Sequence, residues 1–235
     1  MNRARWISGP RQSRGYWFWQ ARQGPVEIRF VGRGPEADSQ EVLRAITHSS
    51  PRLAWLRQVH SAQVVVARIG LSGEADALVT DRPNLALAIS SADCVPILLA
   101  GENRVAAIHA GWRGLIAGIV AETVRRMSGD PSRIAVWIGP AIGACCYEVS
   151  SALARRIAAQ SHASVIADGL RDRPHVDLPG TAACQLSAAG VTDIRHLIRC
   201  TRCDANHLWS YRREGRKSGR NHAFIWTRTP WIRPA

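Results

Sequence analysis

The stretch that decides the fold covers residues 91–114 and reads SADCVPILLAGENRVAAIHAGWRG. It holds two apolar runs, residues 95–100 and 104–108, with the turn-forming residues 101–103 between them. This pattern predicts an antiparallel hairpin. In such a hairpin the start of the first strand lies beside the end of the second strand.

Three side chains that can bind a metal are predicted to meet at one end of this hairpin. Cys94 precedes the first run, His109 follows the second, and His60 ends another apolar run at residues 53–59. Zinc accepts imidazole and thiolate, and catalytic zinc sites leave a fourth position open, where the pKa of bound water falls from ~15.7 to about 7. On spacing alone, a buried thiol with two hydrogen-bonded histidines is the favoured interpretation. Asp93 is a candidate to orient a ligand or to exchange protons with a substrate.

Composition limits the class of protein. The chain has 235 residues, of which 46% are hydrophobic, so it can bury a core and is not disordered as a whole. No apolar run approaches the ~20 residues that span a bilayer, and the N-terminus lacks the apolar segment of a secretory leader. We therefore expect a cytoplasmic protein with no membrane partner, whose six cysteines are thiols or ligands.

The net charge is +13, from 31 basic and 18 acidic residues. This excess suits an anionic partner such as a nucleotide, phosphate or nucleic acid. However, Lys217 is the only lysine, and replacement of lysine by arginine throughout is also what a GC-rich genome produces. No helix-turn-helix, zinc-finger or RNA-recognition signature is present, so we expect no specific nucleic-acid binding.

The remaining pattern predicts one α+β domain. Residues 1–24 form a basic, aromatic tail whose first 20 residues read as poorly ordered with an aromatic anchor, and residues 25–235 form the catalytic domain. Closely spaced strands indicate a largely antiparallel or mixed sheet. The further strands are expected at 26–31, 53–59, 63–67, 77–80, 85–90, 133–138, 191–197 and 223–227, a short extended piece at 176–178, and the helices at 38–47, 114–127, 150–160 and 181–189.

Two segments offer positive groups for an anion. Residues 109–114 pass from a strand through small residues to a helix N-terminus, where free N–H groups and Arg113 can bind phosphate. The alternative is a tight turn with a surface arginine. Residues 210–220 are basic and rich in turns, and for most of their arginines a solvated loop is the favoured interpretation.

The other cysteines give weaker signals. Cys145 and Cys146 are adjacent, and neighbouring side chains in a strand point to opposite faces, so we expect them not to enter one site. The pair Cys200 and Cys203 has the C-x-x-C spacing found in one half of a structural zinc site, and a full site needs further ligands. Its candidate partners nearby in the sequence are Cys184 and His222, and we do not expect a second zinc ion.

Taken together, the motifs resemble a known family, the bacterial YfiH-like proteins, also called the laccase-domain or multicopper polyphenol oxidase family. The resemblance covers residues 53–228. Its motifs are QVH at 58–60, ADALVT at 75–80, SADCVPILL at 91–99, HAGWRG at 109–114, IGPAIG at 138–143, CYEV at 146–149, CT at 200–201, SYRR at 210–213 and GR at 219–220.

The resemblance implies a four-layer α/β/β/α fold with mixed sheets and a zinc site, copper being possible, formed by His60, Cys94 and His109. It implies phosphorolysis of adenosine, inosine and methylthioadenosine, and deamination of adenosine, with purine nucleosides and inorganic phosphate as partners of a monomer. The residues assigned to this chemistry are Asp93, Cys94 and Arg113 as catalytic groups and Arg113, Tyr211 and Arg212 as substrate-binding groups.

Three alternatives stay open. They are a copper-dependent polyphenol oxidase, a peptidoglycan-editing hydrolase and a non-enzymatic nucleic-acid binder. One His-His-Cys site cannot hold the several coppers that a multicopper oxidase needs, so we rank the oxidase below the nucleoside enzyme. The sequence also departs from the family pattern near its N-terminus, where residues 29–34 replace a Thr-Arg-x-Gly-Gly turn and the following segment is shortened.

Overall fold

The computed structural model describes residues 10–47, 51–167 and 173–229. Within these ranges the strands are β1 (Arg11–Ser13), β2 (Tyr16–Gln23), β3 (Val26–Val31), β4 (Arg52–Arg57), β5 (Val64–Val66), β6 (Gly70–Glu74), β7 (Ala77–Thr80), β8 (Leu85–Ser91), β9 (Val95–Ala100), β10 (Val105–Ala110), β11 (Ala135–Ile138), β12 (Ile166–Ala167), β13 (His175–Val176), β14 (Asp193–His196) and β15 (Asn221–Thr227). The α-helices are α1 (Ser39–Ile46), α2 (Trp112–Ile116), α3 (Ile119–Met127), α4 (Ser151–Ala158), α5 (Leu178–Ala188) and α6 (Tyr211–Glu214).

Two mixed sheets form the centre of the molecule. The seven-stranded sheet has the order β1-β2-β3-β15-β8-β4-β6, and the six-stranded sheet has the order β14-β11-β9-β10-β7-β5. Alternation along β9 connects the two cores: Leu98 packs between the sheets, whereas Ile97 and Leu99 face the helices. Between the sheets, Leu98 and Trp137 of the six-stranded sheet pack with Phe30 and other residues of the seven-stranded sheet.

Helices cover the outer face of each sheet. Val42, Leu43 and Ile46 of α1 pack on the seven-stranded sheet, and Asp38 caps this helix through a capping box. The apolar faces of α3, α4 and α5 pack on the six-stranded sheet. The molecule is therefore a four-layer α/β/β/α domain, which confirms the predicted α+β class.

The predicted hairpin is confirmed. β9 and β10 pair antiparallel, with Ala100 opposite Val105 at one end and Val95 opposite Ala110 at the other. His109 lies inside β10 rather than after it, opposite Pro96. The hairpin is the centre of the six-stranded sheet, because β11 pairs with β9 and β7 pairs with β10.

Strands that follow one another in the chain often belong to different sheets. β4 lies in the seven-stranded sheet and β5 in the six-stranded sheet, and the same change occurs from β8 to β9. His60 lies on the first of these crossings and Cys94 on the second. The functional residues therefore stand where the chain passes between the two sheets.

Two of the predicted elements differ from the structure. The segment read as a poorly ordered tail forms β1 and β2, because Trp19 is buried between the sheets and β2 pairs with β3 along its length. The single helix predicted at 114–127 is divided into α2 and α3 at Gly118, whose φ is +85°. β6, β12 and α6 were not predicted. Residues 1–9 lie outside the described residues, and the domain boundary at residue 25 stays a prediction.

None of the helices in the described ranges is long and apolar enough to cross a membrane.

Candidate metal centre

His60, Cys94 and His109 come together, as the hairpin predicted. One ligand atom from each lies within 4.8 Å of the others, and the Cys94 Sγ lies 3.9 Å from His60 Nε2. The two imidazole rings meet edge to face, with centroids 4.8 Å apart. His109 is buried, Cys94 is half-buried and His60 is exposed, so the centre opens to solvent on the side of His60.

Asp76 fixes the orientation of His109. Its Oδ1 lies 2.8 Å from His109 Nδ1, which leaves Nε2 of the ring for the centre. Its Oδ2 accepts from the backbone N–H and hydroxyl of Ser61 at 2.6 and 2.9 Å and from the backbone N–H of Val59 at 3.2 Å. This fully buried carboxylate therefore holds both a ligand and the loop that carries His60. The sequence pattern did not identify Asp76 as a site residue, although Asp76 lies in the motif at residues 75–80.

The carboxylate of Asp76, the imidazolium of His109 and the thiolate of Cys94 stabilise one another's charged forms. Burial disfavours ionisation of Asp76, but hydrogen bonds from His109 and Ser61 outweigh it and lower the pKa of Asp76 to about 2. Burial also opposes charge on His109, but the hydrogen bond to Asp76 and the interaction with Cys94 raise the pKa of His109 to about 9. Burial opposes charge on Cys94 as well, but the interactions with His109 and His60 lower the pKa of Cys94 to about 6. Cys94 therefore has the thiolate character that a metal ligand needs.

Gly111 gives the centre its room. A Cβ at this position would lie 3.1 Å from Cys94 Sγ and 3.1 Å from His60 Cδ2. These approaches are closer than ordinary van der Waals contact. The glycine that follows the hairpin thus lets the backbone pass directly beside two of the candidate ligands.

Asp93 lies beside the centre and holds two other loops. Its Oδ1 accepts from Thr201 Oγ1 at 2.6 Å, and its Oδ2 accepts from the backbone N–H of Arg212 at 2.6 Å. Its φ of +94° is in the region that favours glycine, so the backbone is strained immediately before Cys94. Both carboxylate oxygens already have partners, which indicates a positioning role.

Two arginines and Cys94 lie close enough to Tyr147 to affect its pKa. Burial, followed by the negative charge of Cys94, raises the pKa of Tyr147 to about 12, while Arg212 and Arg113 act in the opposite direction. The Arg212 guanidinium lies 5.1 Å from the Tyr147 ring centroid and donates to the carbonyl of Glu148 at 3.1 Å. Arg113 is exposed on α2 and packs over Trp112. The predicted cations and the metal ligands therefore share one region.

The remaining candidates are placed differently. Tyr211 begins α6 and is 53% exposed, so packing does not fix its side chain. Arg213 is not a solvated loop residue, because it donates to the carbonyls of Thr201, Arg202 and Leu208. Tyr147 was missed as a site residue, although it belongs to the motif at 146–149.

The donor set fits a single metal ion. A tetrahedral ion with bonds of about 2.0–2.3 Å spaces its ligand atoms about 3.3–3.8 Å apart. The observed separations, 3.9 Å for one pair and at most 4.8 Å for the set, need only small side-chain adjustments. Two nitrogens and one sulfur suit zinc and also copper.

The profile of a protein family described as multi-copper polyphenol oxidoreductase laccase matches residues 36–228. Purine nucleoside phosphorylase SCO2081 of Streptomyces coelicolor is 39% identical over 184 residues, covering 74% of this chain and 75% of the relative. Purine nucleoside phosphorylase YfiH of Escherichia coli is 37% identical over 183 residues, covering 73% and 72%.

The chain belongs to the YfiH-like, laccase-domain family. Solved structures agree. The hypothetical protein YfiH of Bacillus licheniformis superposes with a TM-score of 0.82 at 25% identity, covering 94% of this chain and 100% of the other. Protein NMB0706 of Neisseria meningitidis gives a TM-score of 0.81 at 28% identity, covering 90% and 99%. The family membership predicted from the motifs is confirmed.

Proposed function

We propose that this YfiH-like protein is a zinc-dependent purine nucleoside phosphorylase. The observation that carries the proposal is the meeting of His60, Cys94 and His109 beside Arg113 and Arg212. The names of the Streptomyces and Escherichia relatives support the same activity. We expect the enzyme to act in the cytoplasm as a monomer.

In phosphorolysis, an oxygen of inorganic phosphate bonds to C1′ of the ribose, and the bond from C1′ to N9 of the purine breaks. The purine leaves with the electron pair and takes a proton, and the sugar leaves as ribose 1-phosphate. Phosphate must be held near the ribose, and an arginine guanidinium does this with paired N–H donors. Arg113 and Arg212 are assigned this role, because both cations and the Cys94 sulfur lie close enough to Tyr147 to affect its pKa.

The other site residues keep the reacting groups in place. His60, Cys94 and His109 would hold a zinc ion, which would supply a positive charge able to polarise an oxygen of the substrate. Asp76 holds His109, and Asp93, the residue before Cys94, accepts from the backbone N–H of Arg212 in α6. Tyr211, half exposed on that helix, is proposed to contact the nucleoside.

The activity test uses purified, zinc-loaded protein with adenosine and phosphate, followed by chromatography of the products. We expect adenine and ribose 1-phosphate from the native enzyme and none above background from His109→Ala. The same chromatogram resolves inosine, which would report the proposed adenosine deamination. Equal product from both proteins, or none from either, would remove the proposal.

A second test addresses the phosphate contact. Arg113→Gln removes one charge-assisted donor pair, so KM for phosphate should rise about tenfold or more while KM for adenosine changes little. Arg155→Gln, an exposed arginine on α4, is the matched control and should leave both constants unchanged. If both KM values rise equally, Arg113 does not bind phosphate selectively.

The family description also names a copper oxidase. Within the described ranges, the groups of at least three side chains able to share a metal are this centre and a set of four thiols. These two groups contain two histidines between them, too few to bind the several copper ions of a multicopper oxidase. Oxidation of phenols therefore ranks second. Several copper ions per purified chain would reverse the order.

A further inference from the structure

A second group of potential metal ligands lies outside the centre described above. The Sγ atoms of Cys145, Cys146, Cys200 and Cys203 all lie within 4.8 Å of one another. Cys203 Sγ is 3.6 Å from Cys145 Sγ and 3.3 Å from Cys146 Sγ. We propose that these four cysteines form a structural zinc site, a proposal that does not depend on the nucleoside activity.

The sequence analysis assigned strand geometry to Cys145 and Cys146 and so did not expect both side chains to enter one site. The strand assignment is wrong. Residues 144–146 form a turn, in which the backbone N–H groups of Cys146 and Tyr147 both donate to the carbonyl of Gly143. A turn, unlike a strand, can direct two adjacent side chains toward one point.

The spacing of the sulfurs matches a tetrathiolate. Zinc–sulfur bonds of about 2.3 Å in a tetrahedron place sulfurs about 3.8 Å apart. The pairs at 3.3 and 3.6 Å are close to this value and far longer than the ~2.05 Å of a disulfide bond. A disulfide would use two of the four sulfurs, whereas one ion uses them all.

Backbone N–H groups already support a thiolate at Cys200. Its Sγ accepts from the N–H of Gly143 at 3.3 Å and from the N–H groups of Arg202 and Cys203. The guanidinium of Arg202 in turn donates a hydrogen bond to the sulfur of Cys146. These donors would offset the charge of −2 on a zinc ion with four thiolates. On binding, four S–H bonds break, four Zn–S bonds form and four protons pass to solvent, without any redox change.

The site would tie together two loops that reach the metal centre. One loop continues from Cys146 into Tyr147, and the other holds Thr201, whose hydroxyl donates to Asp93. The loops already meet where the Thr201 N–H donates to the carbonyl of Ala141 at 3.0 Å. We expect the zinc ion to stabilise these two loops beside the first metal centre.

The test measures zinc per chain by mass spectrometry of reduced, zinc-loaded and desalted protein. The double variant Cys200→Ser, Cys203→Ser should hold one equivalent less than the native protein. Cys184→Ser, the sixth cysteine and outside both groups, is the matched control and should lose none. Equal zinc in all three proteins would overturn the proposal.

A second measurement does not depend on the folding of that double variant. Reduced His109→Ala, which disables the other centre, is titrated with Co²⁺ under nitrogen. We expect one equivalent to produce intense thiolate-to-cobalt absorption and to protect four of the six thiols from a thiol reagent. Absence of that absorption, or a disulfide within the group after reduction, would refute a tetrathiolate site.

Discussion

At the scale of single residues, the metal centre depends on Asp76 as well as on its three ligands. The carboxylate fixes His109 through one oxygen and the His60 loop through the other. Asp76→Asn replaces one acceptor by an NH₂ group that cannot accept. We expect zinc affinity at this centre to fall about 10–100-fold, as is usual when a partner of a metal ligand is lost.

The measurement is competition with a chelating dye, made in the Cys200→Ser, Cys203→Ser background so that one site is titrated. Asp81→Asn changes an exposed aspartate on the connection after β7 and should leave the affinity as it was. An affinity of Asp76→Asn equal to that of the control would show that Asp76 has no part in metal binding.

His222 is a residue whose burial makes stability depend on pH. The Nδ1 of His222 lies 3.1 Å from Ser39 Oγ and 3.2 Å from Ser90 Oγ. Burial lowers the pKa of His222 to about 4. The unfolded chain therefore binds the proton first, and stability that is present above pH ~6.5 is lost as the pH falls through 4. A shift from 6.5 to about 4 corresponds to about 3 kcal/mol.

Urea unfolding at pH 7 and pH 4 checks this expectation. His222→Gln cannot titrate, so its free energy of unfolding should fall about 3 kcal/mol less over this range than that of the native protein. His162→Gln, at an exposed histidine, should keep the native dependence. Parallel curves for His222→Gln and the native protein would contradict the assignment.

At this scale the sequence predicts the metal-binding atoms better than the residues that orient them. His60, Cys94 and His109 are recognisable because their atom types suit a metal. The role of Asp76 depends on a contact with a residue 33 positions away, in the neighbouring strand. Local pattern contains no information about that contact, so the carboxylate could not be assigned.

At the scale of elements, the turn between α2 and α3 directs α3 along the six-stranded sheet. Gly118 has φ +85°, and a Cβ there would meet no atom within 4 Å, so backbone conformation alone requires glycine. Gly118→Ala should cost about 1–2 kcal/mol of unfolding free energy. Asn adopts this conformation more readily, so Gly118→Asn should cost less in the same denaturation experiment. Equal costs would mean that side-chain contacts decide the effect.

The hairpin and the break at Gly118 show what pattern can predict about elements. β9 and β10 pair over a short turn, so their contacts are local and the sequence predicts them. Gly118 is one glycine within an amphipathic pattern that runs through both helices, and periodicity alone did not locate the break. The turn at 144–146 was missed because adjacent cysteines were assigned strand geometry.

At the scale of the whole molecule, the metal centre joins the two sheets. His60 and Cys94 lie on separate crossings from the seven-stranded to the six-stranded sheet, and His109 lies within the latter. The assignment of consecutive strands to different sheets depends on packing between layers, which periodicity does not report. The family resemblance, rather than the strand pattern, predicted the four layers.

Because it joins separate crossings, the metal should stabilise the fold. At a free zinc concentration 100 times the dissociation constant, one site contributes about 2.7 kcal/mol. Calorimetry should therefore show a higher Tm for zinc-loaded protein in the Cys200→Ser, Cys203→Ser background. Adding His109→Ala to that background should abolish the increase. The same increase in both proteins would place the stabilising ion elsewhere.

The most direct test of the central claim is an anomalous difference map, recorded at the zinc absorption edge from crystals of the zinc-loaded protein. We predict a peak bonded to His60, Cys94 and His109 at about 2.0–2.3 Å from each ligand atom. A peak among the four cysteines would serve as an internal standard for occupancy. Density at that standard with none among the two imidazoles and the Cys94 thiolate would contradict the account.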